Sequence, residues 1–152
     1  MTRVGFENFS SYKKGRRGEV AVLAELKLQG KQVKDHTGDY TTNKVVQRKG
    51  FDMEIFNEET NLWDRADVKN HVYRGQVALE IKKSNGKPGW FETSRADYII
   101  VYDEDNNAGY KYTIRDMKEY LAKVEIANYT TRSGDILKYV PIEGNSIITK
   151  IF

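Results

Sequence analysis

Three carboxylates and one lysine are the residues of this chain whose types and spacing suggest chemistry: Glu19, Asp52, and the pair Asp67 and Lys69. Residues two apart in a strand project from the same face, about 7 Å apart, so Asp67 and Lys69 stand side by side if their segment is extended. Asp52 precedes them by one short hairpin and can face them across it. Grouping acids around a single lysine is costly unless a cation balances them. Mg²⁺ suits such a set, because it takes oxygen ligands and retains waters that phosphate oxygens can replace. The ion polarises a phosphate, and the lysine can position or deprotonate the attacking water. The same residues admit a plainer reading. Asp-x-Lys is a common tripeptide that makes ion pairs on solvated sheet faces, Asp52 with Glu54 can be an exposed strand face, and Glu19 can be an acid favoured near a helix N-terminus.

Composition narrows the alternatives. The chain has 152 residues, 39% hydrophobic and 31% charged, which suits one globular domain spanning residues 1–152. It has no cysteine, which excludes a disulfide scaffold, a thiolate nucleophile, a zinc ribbon and an iron–sulfur cluster, and fits a reducing compartment. Its two histidines, His36 and His71, cannot build a three-histidine zinc site. Apolar stretches fall well short of the roughly 20 residues of a membrane span, and the polar N-terminus lacks a signal-peptide core. A soluble, cytoplasmic protein with no membrane partner is expected. The net charge of +3 is unevenly spread: residues 1–50 hold 11 Lys/Arg against 5 Asp/Glu, and the remainder 14 against 17. Lys13, Lys14, Arg16 and Arg17, followed by Lys44, Arg48 and Lys49, make a footprint suited to a phosphate backbone, or a solvated charged face.

The elements that must position these groups are read from hydrophobic period. Residues 16–28 carry Val20, Leu23, Ala24 and Leu26 or Leu28 at helical spacing, with Gly30 as the stop. Residues 31–48 suggest a short strand and an exposed loop. Residues 51–56 alternate, with Phe51, Met53 and Ile55 on one face and Asp52 and Glu54 on the other. A polar turn at 57–61 leads to a returning strand over 62–70, a third strand covers 77–81, and a short helix fits within 91–95. The run 98–102, apolar on both faces, is expected to be a central strand, and the crossover feeding it implies parallel pairing. A short strand at 110–112 follows. Thr113 and Asp116 then form a capping signature ahead of a second long helix, and residues 136–140 and 146–152 read as two final strands.

In chain order, a helix bearing Glu, a strand bearing Asp, a strand bearing (Asp/Glu)-x-Lys, then strand, helix and strand resemble the PD-(D/E)XK nuclease superfamily. The resemblance covers residues 15–102 and rests on GRRGE (15–19), GFDMEI (50–55), ADVKN (66–70) and LEIKKSNGKPGWFETSRADYIIVY (79–102). The last run is similar to one in small phage-encoded nucleases. Phe51 stands where the motif has proline, and Asp67 where Glu is commoner. The resemblance implies an α/β fold of the restriction-endonuclease-like class, an αβββαβ core with a mixed sheet over about 15–102, and an added C-terminal helix and strands over about 103–152. It further implies that Asp52 and Asp67 ligate the metal with Glu19 completing or orienting the site, and that Lys69 is the catalytic lysine. Glu80 and Lys82 form a second such tripeptide, one strand further from Asp52, and suit a supporting position. Lys87 and Arg95 can touch phosphate, Trp90 and Tyr40 can stack on bases, and His71 is a neighbour.

The function so implied is Mg²⁺- or Mn²⁺-dependent endonuclease action on DNA. Branched DNA is the preferred substrate, by similarity to Holliday-junction resolvases of the superfamily, with single-stranded DNA as the other form considered. A chain this small carries one site, so symmetrical cutting calls for a homodimer, in the host cytoplasm if phage-encoded. The alternatives are a non-catalytic nucleic-acid- or protein-binding module on the same fold, and a structural subunit with residues 112–152 as its interface.

Overall fold

The computed structural model describes residues 3–36 and 51–152. Lys44, Arg48, Lys49 and Tyr40 lie outside the described residues. The first helix, α1, spans Arg3–Leu28 and stops at Gly30, whose φ of 77° closes the helix end. Its buried face matches the expected one at Leu26 and departs from it at Val20. Val22 and Leu26 are buried, whereas Val20 is 50% and Leu28 80% exposed. The helix is turned so that Gly18, one turn before Val22, meets the end of a strand, and this rotation brings Glu19 to the edge of the same strand.

Three strands follow: β1 (Val33–Asp35), β2 (Met53–Asn57) and β3 (Leu62–Lys69). They form an antiparallel meander. After it come the hairpin β4 (Val72–Tyr73) and β5 (Gln76–Lys82), the short helix α2 (Trp90–Thr93), and β6 (Tyr98–Asp103). β6 pairs parallel with β3, with Asp67 opposite Ile99. It is buried along its whole length, as its two-sided apolar pattern predicts. β7 (Ala108–Thr113) returns antiparallel and leads into α3 (Ile114–Lys123), where the Thr113 side chain accepts the Asp116 N–H at 3.0 Å. β8 (Tyr129–Thr130), β9 (Ile136–Pro141) and β10 (Thr149–Lys150) complete the described elements.

The strands sort into a six-stranded sheet, β1-β2-β3-β6-β7-β10, and a four-stranded sheet, β4-β5-β9-β8. Here the expectation needs correction. The segment 77–81 does not extend the first sheet beside β3. Arg74 and Gly75, with φ of 50° and 73°, make a tight reversal between β4 and β5, and the free edge of β3 goes to β6. The order helix, three strands, crossover, parallel strand is present, but its three strands are β1, β2 and β3. α1 covers one face of the first sheet through Val22, Leu26, Met53, Ile55, Ala66, Val68, Tyr98, Ile100 and Tyr102. The second sheet, α2 and α3 cover the other, through Val77, Leu79, Phe91, Ile99, Val101, Tyr112, Met117 and Val140. Phe51 joins this second cluster rather than that of Met53 and Ile55, because the chain bends at Asp52 before β2 begins and the strand alternation does not extend through it.

Candidate active site

Alternation along β3 decides which way its polar groups point. Ala66 and Val68 are buried toward α1, so Asp67 and Lys69 project to the opposite side. Asp52, just ahead of β2, is clamped to β3 twice. Its backbone N–H donates to the Ala66 carbonyl at 2.9 Å, and its carboxyl accepts the Val68 N–H at 2.9 Å. The clamp holds the Asp52 carboxyl beside that of Asp67, itself only 8% exposed, where both line the same clefts. Two neighbouring buried carboxyls disfavour ionising together, which favours a proton on one of them. Accordingly, Asp52 is held well above the usual carboxylate range, first by burial, then by the hydrogen bond and charge of Asp67, with Glu19 adding and the Val68 N–H opposing.

Glu19 joins the pair from α1. Burial raises its affinity for a proton, against an ion pair with Arg16 at 3.2 Å. Lys69 Nζ lies 3.3 Å from Asp67 and 4.7 Å from the centre of the Trp90 ring, so a carboxylate and an aromatic face fix the ammonium together. Two adjoining clefts, about 280 and 340 Å³, share Glu19, Asp52, Asp67 and Lys69 as lining.

The helix is seated by Asn70, the residue after Lys69. Its buried side chain donates to the Lys14 carbonyl at 2.9 Å. Nearby Glu104 pairs with Arg17, which holds its carboxyl below the usual range, with Asn70 adding a lesser share. A Cβ at Gly18 would lie 3.0 Å from the Asn70 Cβ, so glycine is what admits the strand end against the helix. Asn70 and Glu104 were not among the expected site residues. The only sequence signal for them was the position of Asn70 at the end of ADVKN.

The remaining expected residues are dispersed. Lys14 lines a cleft and Lys13 is exposed, whereas Arg16 and Arg17 are paired with Glu19 and Glu104. Lys87 and Arg95 are exposed outside both clefts, and Arg48 and Lys49 fall outside the described residues. The structure does not bring Glu80 and Lys82 into either cleft. Glu80 instead accepts the Trp90 N–H at 3.1 Å, and so supports the ring that faces Lys69. His71 lines a cleft beside Lys14, and burial with the charges of Lys14 and Lys69 lowers its pKa, which favours neutral imidazole. Tyr112, across β6 from Asp67, has a fully buried hydroxyl with no hydrogen-bond partner among the described residues. Burial, reinforced by the charge of Asp67, holds its phenol protonated.

Among the described residues, no three His, Asp or Glu side chains already form a metal-holding group. The carboxyls that could hold an ion are Asp52 and Asp67. A divalent cation in place of their proton relieves the same repulsion, and Mg²⁺ characteristically takes one or two protein carboxylates and leaves its other positions to water and phosphate.

No protein-family model matches the chain, and no curated protein matches its sequence. Its fold is similar to that of a bacterial homing endonuclease, I-Ssp6803I, with a TM-score of 0.50 over 88% of this chain and 76% of that one at 13% identity. At that identity the likeness is one of fold, a mixed α/β arrangement of the kind found in a nuclease. No helix among the described residues is long and apolar enough to cross a membrane.

Proposed function

We propose that this protein is a metal-dependent endonuclease of the PD-(D/E)XK type, hydrolysing DNA phosphodiester bonds with Mg²⁺ or Mn²⁺. The observation that carries the reading is the grouping of Asp52, Asp67 and Lys69 at shared clefts, with Asp52 tied to β3 by one hydrogen bond given to the Ala66 carbonyl and one accepted from the Val68 N–H, and Lys69 3.3 Å from Asp67. In this reading Asp52 and Asp67 are the metal ligands and Glu19 is the third acid beside them. The ion supplies a Lewis acid for the phosphate. Lys69, fixed between Asp67 and Trp90, donates hydrogen bonds to the attacking water and balances charge that builds on the phosphate. Lys14, at the rim, meets the DNA backbone. The nuclease-like fold supports the reading in general terms. Branched DNA as substrate, a homodimer that supplies two sites, and a cytoplasmic setting belong to the same proposal.

The test is calorimetric titration of Mn²⁺ into the wild type and Asp67→Ala, beside metal-dependent cleavage of plasmid, single-stranded and four-way-junction DNA. Equal Mn²⁺ affinity in both proteins removes Asp67 from the site. A second reading is a nucleic-acid-binding module on the same fold without turnover, since a fold does not fix an activity. In that case DNA is bound and left intact with either metal.

A further inference from the structure

The four-stranded sheet has one face against the core and one away from it. Val72, Val77, Leu79 and Val140 point inward, so alternation and register place Tyr73, Ala78 and Tyr139 on the outer face, with Tyr129 on the neighbouring β8. The Tyr139 ring lies 5.8 Å from that of Tyr73 and 5.7 Å from that of Tyr129, and its partner across β5 is only Ala78. Three aromatic rings thus run over an open sheet surface. Tyr73 and Tyr129 are 53% and 55% exposed and are the exposed aromatic side chains among the described residues. The Arg74 guanidinium sits 5.1 Å from the centre of the Tyr73 ring, at the reversal between β4 and β5.

This face continues into a cleft of about 220 Å³ whose lining includes His71, Ala78, Glu80, Trp90 and Leu137. His71 also lines one of the two clefts at Asp67, and Trp90 lines the other. The acids at this junction are engaged by backbone donors: Glu80 accepts the Trp90 N–H at 3.1 Å and Asp135 the Ser84 N–H at 2.9 Å. The surface therefore offers flat π faces and a guanidinium in continuity with the carboxylate site. Tyrosine and arginine also suit protein interfaces, and what favours a strand of bases and phosphates is the continuity of this face with the carboxylate cleft.

We propose that the Tyr73–Tyr139–Tyr129 face binds an unpaired DNA strand that runs to the cleft at Asp67 and Lys69, its bases stacking on the tyrosines and a phosphate meeting Arg74. The inference rests on the nuclease reading and narrows its substrate to DNA carrying a single-stranded arm.

Binding is measured by fluorescence anisotropy with labelled oligo-dT of about 12 nucleotides, on the full chain in EDTA so that no cleavage intervenes. Tyr139→Ala, and Tyr73→Ala with Tyr129→Ala, are expected to weaken binding about tenfold or more, the range found when a stacked ring is lost. Tyr139→Phe keeps the ring and is expected to bind as the wild type does. Arg74→Gln, on an exposed turn that leaves the tyrosines intact, is expected to weaken binding and flatten its salt dependence. Thermal melts verify that each variant is folded, and Arg74→Gln decides the matter if an alanine variant is not. Unchanged oligo-dT affinity in the folded alanine variants overturns the proposal. So does equal loss in Tyr139→Phe, or a wild-type oligomer in sedimentation that the alanine variants dissolve, which makes the face a contact between copies. Because no metal or turnover is involved, tyrosine-dependent binding without cleavage of any DNA defeats the nuclease reading alone. Metal-dependent cleavage with tyrosine-independent binding defeats this proposal alone.

Discussion

Replacing Asp52 by Asn isolates the proton held there. The amide keeps an oxygen to accept the Val68 N–H and gains an N–H to donate to Asp67, so the geometry at β3 is retained while the titrating group is removed. In the metal-free wild type, the folded state holds a proton at Asp52 that the unfolded chain, with its ordinary pKa of 3.8, has released. The unfolded state therefore binds fewer protons, and stability falls as pH rises above the ordinary carboxylate range, until the raised folded pKa is reached. Each pH unit in that window is worth about 1.4 kcal/mol per proton, so the interval from about pH 5 to pH 7 costs up to about 3 kcal/mol. For a chain of this length that corresponds to a fall of roughly 5–10 °C in melting temperature. Asp52→Asn removes this share of the slope and melts above the wild type at pH 7. Added Mn²⁺ raises the wild-type melting temperature at pH 7, because only the folded state holds the ligands together, and raises that of Asp52→Asn much less. The assay is thermal melting by circular dichroism at both pH values, in EDTA and in Mn²⁺. The same pH slope in both proteins would falsify a proton held at Asp52.

Lys69→Met keeps most of the aliphatic stem but removes the ammonium between Asp67 and Trp90, so cleavage is expected to drop by about 10² or more with Mn²⁺ and DNA affinity little changed; Lys82→Met, outside both clefts, is expected to cut normally, and the reverse result reassigns the lysine. Tyr112→Phe removes a buried hydroxyl without a partner, and is expected to leave stability unchanged or raise it, by up to about 1–3 kcal/mol in urea unfolding; a clear loss shows that the hydroxyl has a partner in solution. Gly89→Ala sets a Cβ 2.3 Å from the Glu80 carbonyl oxygen, and is expected to cost about 1–3 kcal/mol and to alter Trp90 fluorescence, measured with Trp63 replaced by Phe; an unperturbed spectrum and melt refute that packing.

Alternation along β3 at Asp67 and Lys69, the Thr113 cap, the glycine stop at Gly30 and the two-sided apolar run at 98–102 were legible in the sequence, because each depends on the local period of a helix, strand or turn. The grouping of these side chains was legible for the same reason: Asp67 and Lys69 share a face in any extended segment, and a hairpin brings Asp52 to them. Tertiary structure decided what local period cannot. α1 turns Val22 inward beside the expected Leu26 and leaves Val20 exposed, with Gly18 letting the helix approach Asn70, and glycine carries no hydrophobic signal. Residues 77–81 went to a second sheet, since a strand pattern tells which face is buried but not which edge it joins, and β6, apolar on both sides, buries more beside β3. Trp90 over Lys69, Glu80 under Trp90 and the tyrosine row over three strands all join residues distant in sequence. Their proximity follows from how two sheets share one core, and no spacing along the chain encodes it.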